Sequence, residues 1–118
     1  MKILVVDDEQ LVRWFLERAL KKLGYDVFTV SNIKEALKNL EDNNFDLLIT
    51  DLKMPYEGGA SLIEKVHAMK KSLKIIVCSA FITPEMDNDF RDKGVQILKK
   101  PFKLDELENV ISACGISA

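Results

Sequence analysis

Three aspartates, a serine and a lysine stand where apolar runs of the chain end: Asp7, Asp8, Asp51, Ser79 and Lys100. Carboxylates that lie close together repel one another, and a hard divalent cation such as Mg²⁺ relieves that repulsion through oxygen ligands. A lysine adds a compact positive charge that can meet an anion, and a serine adds a hydroxyl donor. If these side chains meet in space, their combined chemistry suits phosphoryl transfer, with Asp51 as the nucleophile.

Each of these residues also has an ordinary structural interpretation when it is taken singly. Asp51 and Ser79 are of types common in turns, and Asp8 is of a type common at helix N-termini. Lys100 equally suits a solvated surface. What favours a functional interpretation is that all of them are expected at the same edge of one sheet.

Five short apolar runs alternate with segments whose apolar residues recur at helical spacing. The predicted strands cover residues 2–6, 25–30, 45–51, 73–78 and 95–98, and the helical patterns cover 11–23, 33–40, 62–69, 83–93 and 104–111. Such alternation predicts an α/β fold with a five-stranded parallel sheet covered by helices on both faces, and right-handed crossovers favour the order 2-1-3-4-5. This is the three-layer, flavodoxin-like arrangement, in which the carboxyl ends of all strands share one edge.

Local signals mark several helix ends. Gly24 stands where a helix commonly ends in a left-handed residue, and Ser31 and Asn32 both offer an N-cap. Thr83-Pro84 is a typical helix start, with proline at the first helical position. The helix that follows has few apolar residues, so we expect it to be short and mobile.

Length and composition favour one domain, residues 1–118, of an ordinary globular protein. The net charge of −2 gives no general attraction to nucleic acid. No apolar run has the length of a membrane span and no signal peptide is evident, so we expect a cytoplasmic protein without membrane contact. One histidine, His67, and two distant cysteines give little support for a zinc site, and Cys78 is expected in the core.

The motifs at the strand ends resemble those of the receiver domains of two-component response regulators. The resemblance extends over essentially the whole chain, and the motifs are highly specific when they occur together and in this order. They are Val-Val-Asp7-Asp8-Glu9, Asp51-Leu-Lys-Met-Pro55, Ser79-Ala80 and Lys100-Pro101-Phe102.

The resemblance implies a signalling domain that assists its own phosphorylation and dephosphorylation and is not a conventional enzyme. Asp51 would take a phosphoryl group from the phosphohistidine of a sensor histidine kinase or histidine phosphotransfer protein. Lys100 would contact the phosphoryl oxygens, and Ser79 would turn inward to bond one of them. The resemblance also allows a homodimer on phosphorylation and a role as the regulatory domain of a transcriptional regulator.

The resemblance implies a magnesium site as well. Asp8 and Asp51 would bind Mg²⁺ together with the backbone carbonyl of Lys53, and Asp7 would act mainly through metal-bound water. In this family the helix after the acidic run is the usual docking surface for the kinase. We give Trp14, on that helix, equal weight as an exposed interface anchor and as a side chain that leans on a neighbouring helix.

Two departures from the family pattern stand out. Ile97 occupies the position, three residues before Lys100, where receivers usually carry Tyr or Phe, so the usual aromatic reporter of phosphorylation is missing. Lys53 and Phe81 occupy the two variable positions that tune dephosphorylation in the family. We expect the bulky Phe81 to shield an acyl phosphate on Asp51 from water.

Two other function classes are weaker. A Mg²⁺-dependent phosphohydrolase with an aspartyl nucleophile normally has a second acidic residue two positions after it, and Lys53 stands there. A flavodoxin-like nucleotide-binding module would need a phosphate-binding loop after the first strand, where Asp7-Asp8-Glu9 would repel phosphate.

Overall fold

The computed structural model describes residues 1–52, 59–69 and 73–114. Strands and helices alternate along these residues, as the apolar periodicity predicts. The strands are β1 (Lys2–Val6), β2 (Asp26–Val30), β3 (Leu47–Asp51), β4 (Lys74–Ser79) and β5 (Gln96–Lys99). The helices are α1 (Gln10–Lys22), α2 (Ile33–Asp42), α3 (Gly59–Ala68), α4 (Pro84–Asp92) and α5 (Leu104–Ala113).

The five strands form one parallel sheet in the order β2-β1-β3-β4-β5, which confirms the predicted flavodoxin-like topology. The last two strands lie one residue later than the sequence pattern suggests. Ser79 is therefore the final residue of β4 and pairs in register with Lys99, whereas we expected it just beyond the strand. The ladder with β5 decides this boundary, and apolar periodicity does not contain that information.

Side chains of each central strand point alternately to two separate core layers. In β1, Ile3 and Val5 pack on one face with α1 and α5, while Leu4 and Val6 pack on the other with α2, α3 and α4. Apolar residues on both faces explain why these strands are continuous apolar runs rather than alternating ones. Helices pack on both faces of the sheet and therefore fix the positions of the strand ends.

The helix-end signals predicted from the sequence are present in the structure, which also decides between Ser31 and Asn32 as the N-cap of α2. Gly24 has a positive φ of 93° just after α1, as expected of the residue that ends a helix in the left-handed region. Asn32 is the N-cap of α2, and its Oδ1 accepts a hydrogen bond from Glu35 N–H at 2.8 Å. Thr83 caps α4 by accepting from Met86 N–H, and Pro84 follows it.

The fourth helix is short, as predicted, and Phe90 is its one buried residue. Its first turn also holds Met86, which is half-buried and packs against the core together with Ile82 and Ile97. None of the helices that the structure describes combines the length and apolar character needed to cross a membrane.

The cap of α2 gives a direct test of this local structure. Asn32→Ala removes the acceptor for Glu35 N–H, and we expect it to lower the free energy of unfolding by about 1 kcal/mol in urea titrations. Ser31→Ala is the matched control, since Ser31 is the alternative cap that the sequence offered. Equal losses in the two variants would contradict the assignment.

Candidate functional site

The carboxyl edge of the sheet brings together the ends of four strands. Asp7 directly follows β1, Asp51 ends β3, Ser79 ends β4 and Lys100 directly follows β5. Backbone hydrogen bonds hold this edge: Asp7 N–H donates to the carbonyl of Val30 at 3.2 Å, and Lys100 N–H donates to the carbonyl of Ser79 at 2.9 Å. The predicted site residues that the structure describes are therefore gathered at one place.

Four carboxylates form a cluster at this edge. Asp7, Asp8, Glu9 and Asp51 each place an oxygen within 4.8 Å of the others. Asp7 and Asp51 are buried, whereas Asp8 and Glu9 are exposed. Glu9 belongs to the motif Val-Val-Asp7-Asp8-Glu9 but was not among the site residues predicted from the sequence. Its position next to Asp8 was the available signal, and the structure adds that its side chain makes no cap hydrogen bond to α1.

The ammonium group of Lys100 lies among these carboxylates. Its Nζ is 3.2 Å from Asp7 Oδ2, 3.5 Å from Asp51 Oδ1 and 4.0 Å from Glu9 Oε1. Burial is the largest single influence on the pKa of Lys100 and lowers it. The charges of Asp7 and Asp51 and the hydrogen bond to Asp7 together outweigh burial and raise that pKa above its usual value. Lys100 is thus a fixed positive charge at neutral pH.

Asp7 is held in place by contacts on all its polar groups. One carboxylate oxygen accepts from Glu9 N–H at 2.9 Å, and the other accepts from Lys100 Nζ. Its backbone carbonyl accepts from Arg13 Nη1 at 2.6 Å. These contacts fix the loop between β1 and α1 and therefore the positions of Asp8 and Glu9.

Ser79 and Phe81 are joined by two hydrogen bonds. The Ser79 hydroxyl donates to the carbonyl of Phe81 at 3.0 Å and accepts from Phe81 N–H at 3.2 Å. Ser79 is buried and lines a small pocket of about 220 Å³ that is also lined by Asp51, Lys100 and Phe81. The Phe81 residue is 64% exposed at the border of this pocket.

Cys78 is buried directly beside the cluster. Burial, followed by smaller opposing effects of Lys100 and the aspartates, raises the pKa of its thiol to about 12. A thiol with this pKa is not a nucleophile at neutral pH. The prediction that Cys78 is a small core residue is confirmed.

Two other residues that the sequence singled out have different outcomes. Lys53, expected to offer a backbone carbonyl to the metal, lies outside the described residues. Trp14 is 57% exposed, and the guanidinium of Arg18 lies over its ring at 4.7 Å from the centroid. The ring of Trp14 therefore contacts a cation of its own helix.

The donor set of this edge suits a hard divalent cation. The described ligand candidates are all carboxylate oxygens, the type that Mg²⁺ prefers, and the cluster contains neither thiolate nor imidazole. A lysine ammonium already lies among these oxygens, which shows that the site favours positive charge.

A family model of the response regulator receiver domain matches residues 3–112. The chain belongs to this family. The receiver domain is a signalling domain of two-component systems that is activated by phosphorylation, and the fold and the acidic edge described above agree with that membership.

Curated relatives are similar over almost the whole chain. The DNA-binding transcriptional regulator NtrC of Azospirillum brasilense is 38% identical over 92% of the chain, but the chain spans only 23% of that protein. The response regulator receiver protein CpdR of Brucella abortus is 33% identical, with 99% of the chain and 98% of CpdR covered.

A solved receiver structure is similar in fold as well as in sequence. The response regulator protein TrrA of Thermotoga maritima, crystallised in complex with Mg(2+)-BeF, has a TM-score of 0.84 and 33% identity. The match covers 96% of this chain and 97% of TrrA.

The ion pairs of Lys100 predict a pH-dependent contribution to stability. Lys100→Met leaves Asp7 and Asp51 buried without that cation, and we expect a loss of roughly 1–3 kcal/mol at pH 7 in chemical unfolding.

The loss of stability at alkaline pH follows from the raised pKa of Lys100. The folded state holds the proton more tightly than the unfolded state, so the stabilisation is complete below about pH 10.4 and is lost as the pH rises through the folded pKa. Lys99→Met, a change at the exposed neighbouring lysine, is the control. An unchanged stability of Lys100→Met would contradict this account.

Proposed function

We propose that Asp51 of this receiver domain accepts a phosphoryl group from the phosphohistidine of a sensor histidine kinase or histidine phosphotransfer protein, with Mg²⁺ as the cofactor. The observation that carries the proposal is the position of the Lys100 ammonium, 3.5 Å from Asp51 Oδ1 within a cluster of carboxylates. A nucleophilic oxygen, a fixed cation and a group of metal-ligating oxygens at one strand edge are the parts that phosphoryl transfer requires.

In this proposal Asp8 and Asp51 hold the magnesium ion directly, and Asp7 acts mainly through metal-bound water. Both oxygens of Asp7 already accept hydrogen bonds, which supports an indirect role for it. The Lys53 carbonyl is the proposed third protein ligand. When bound, Mg²⁺ offsets negative charge on the transferring phosphoryl group.

The transfer itself uses the chain's own side chains. A carboxylate oxygen of Asp51 forms a bond to phosphorus as the phosphorus–nitrogen bond of the donor breaks, and the histidine nitrogen keeps the electron pair. Lys100 stabilises the negative phosphoryl oxygens by its charge. The Ser79 hydroxyl breaks its two hydrogen bonds to Phe81 and donates instead to a phosphoryl oxygen. Phosphorylation of Asp51 therefore removes two hydrogen bonds from the loop before α4.

The proposal also includes one domain over residues 1–118, a cytoplasmic location, no nucleic-acid binding by these residues and a homodimer on phosphorylation. The similarity to NtrC, whose name describes a DNA-binding transcriptional regulator, supports a second candidate role as the regulatory domain of such a regulator.

A mass measurement tests phosphorylation at Asp51. Incubation with Mg²⁺ and acetyl phosphate should add one phosphoryl group to the intact protein, and Asp51→Ala should add none. Glu17→Gln, a change on the exposed face of α1, is a folding and handling control and should be phosphorylated normally. The absence of any gain with acetyl phosphate or with a phosphohistidine donor would refute the proposal.

The aromatic side chain at the pocket border generates a prediction about lifetime. Phe81 borders the pocket that contains Asp51, so its apolar ring limits the access of water to an acyl phosphate there. Phe81→Ala should shorten the half-life of phospho-Asp51 by a factor of roughly two to five, equivalent to about 1 kcal/mol of barrier or less.

The decay is followed by intact mass after the phosphate donor is removed. Phe81→Leu retains apolar bulk and serves as the matched variant, with a half-life close to that of the unmodified chain. A half-life of phospho-Asp51 in Phe81→Ala that equals or exceeds the half-life in the unmodified chain would contradict the shielding role.

A further inference from the structure

Glu9 is a charged group at the site to which the proposed mechanism gives no role. It occupies the N-cap position of α1, yet its side chain makes no cap hydrogen bond. Its backbone N–H donates to Asp7 Oδ1, an atom of the cluster. Its carboxylate oxygen is within 4.8 Å of the oxygens of Asp8 and Asp51 and 4.0 Å from Lys100 Nζ.

Charge at this edge is unbalanced. Four carboxylates form the cluster, whereas two cations lie at it: the ammonium of Lys100 and the guanidinium of Arg13, which binds the backbone carbonyl of Asp7. A formal excess of two negative charges remains before any further cation binds. A divalent cation is attracted by every carboxylate within this distance, including one that does not coordinate it. A phosphoryl donor is an anion, and the same carboxylates repel it.

We propose that Glu9 tunes the two ligands of this site in opposite directions, strengthening the binding of the metal cation and weakening the binding of the anionic phosphoryl donor. The inference rests on the proposed function, since it concerns the affinity of the same edge for Mg²⁺ and for a phosphoryl donor. Glu9 is a positioning residue here: it acts through the electrostatic potential of the pocket and through its ion pair with Lys100.

The position of Glu9 suits this role better than that of its neighbours. Asp8 and Asp51 are proposed to coordinate the ion, so their removal would destroy the site rather than adjust it. The Glu9 side chain is 64% exposed, yet it lines the pocket that contains Asp51 and Lys100. Solvent screens an exposed charge partly, so its effect is graded and depends on ionic strength.

The test removes the charge and keeps the shape. Glu9→Gln should raise the Mg²⁺ dissociation constant, measured by isothermal titration calorimetry, by a factor of roughly three to ten. At saturating Mg²⁺ the same variant should lower the KM for acetyl phosphate by a factor of roughly two to five, with little change in kcat. Both differences should diminish as NaCl is raised, because the Debye length falls.

Two further variants separate local electrostatics from other causes. Glu17→Gln removes the same charge from the same helix, where Glu17 pairs with Lys21 on the surface, and should change neither constant. Glu9→Asp keeps the charge and should lie closer to the unmodified protein than Glu9→Gln in both measurements. Circular dichroism checks that each variant is folded.

The outcomes distinguish this inference from the proposed function. If the unmodified protein binds no Mg²⁺ or is not phosphorylated on Asp51, the proposed function fails and the role of Glu9 fails with it. If it does both, but Glu9→Gln leaves the two constants unchanged, moves both towards weaker binding or behaves like Glu17→Gln, the inference about Glu9 alone is overturned.

Discussion

Repulsion among carboxylates at one sheet edge is the constraint on which the site depends. Parallel strands bring their carboxyl ends together, and two of those ends carry the buried Asp7 and Asp51. Buried carboxylates of like charge are costly unless a cation lies between them. In this protein Lys100 provides that cation, at 3.2 Å from Asp7 and 3.5 Å from Asp51. The same unmet negative charge makes the edge suitable for a divalent metal.

The rest of the fold keeps this arrangement in place. Apolar layers on both faces hold the central strands, so the strand ends cannot move apart to relieve the repulsion. Backbone hydrogen bonds from Asp7 to Val30 and from Lys100 to Ser79 tie each loop to a neighbouring strand. Core packing therefore maintains a charge cluster that is unfavourable by itself.

The site connects to the distal part of the sheet through one loop. Ser79 is bonded twice to Phe81, and the next residue, Ile82, packs against the core with Ile97 and Met86. Ile97, for which the resemblance to the family led us to expect an aromatic residue, is half-buried in this apolar group. Ser79 is therefore joined to the start of α4 through packed apolar side chains.

The sequence by itself determined the fold class, the strand order and the grouping of the site residues. Apolar runs ending in Asp7, Asp51 and Ser79 are sufficient for this, because alternating strands and helices leave few topologies and all parallel strands end at one edge. It did not determine which of Ser31 and Asn32 caps α2, where β4 ends, or that the carboxylate of Glu9 joins the cluster. Each depends on contacts between distant segments or on the direction of one side chain, such as the ladder of Ser79 with Lys99 and the ion pair of Glu9 with Lys100. Only the tertiary structure decides such contacts, since local periodicity carries no information about which residues meet across the sheet.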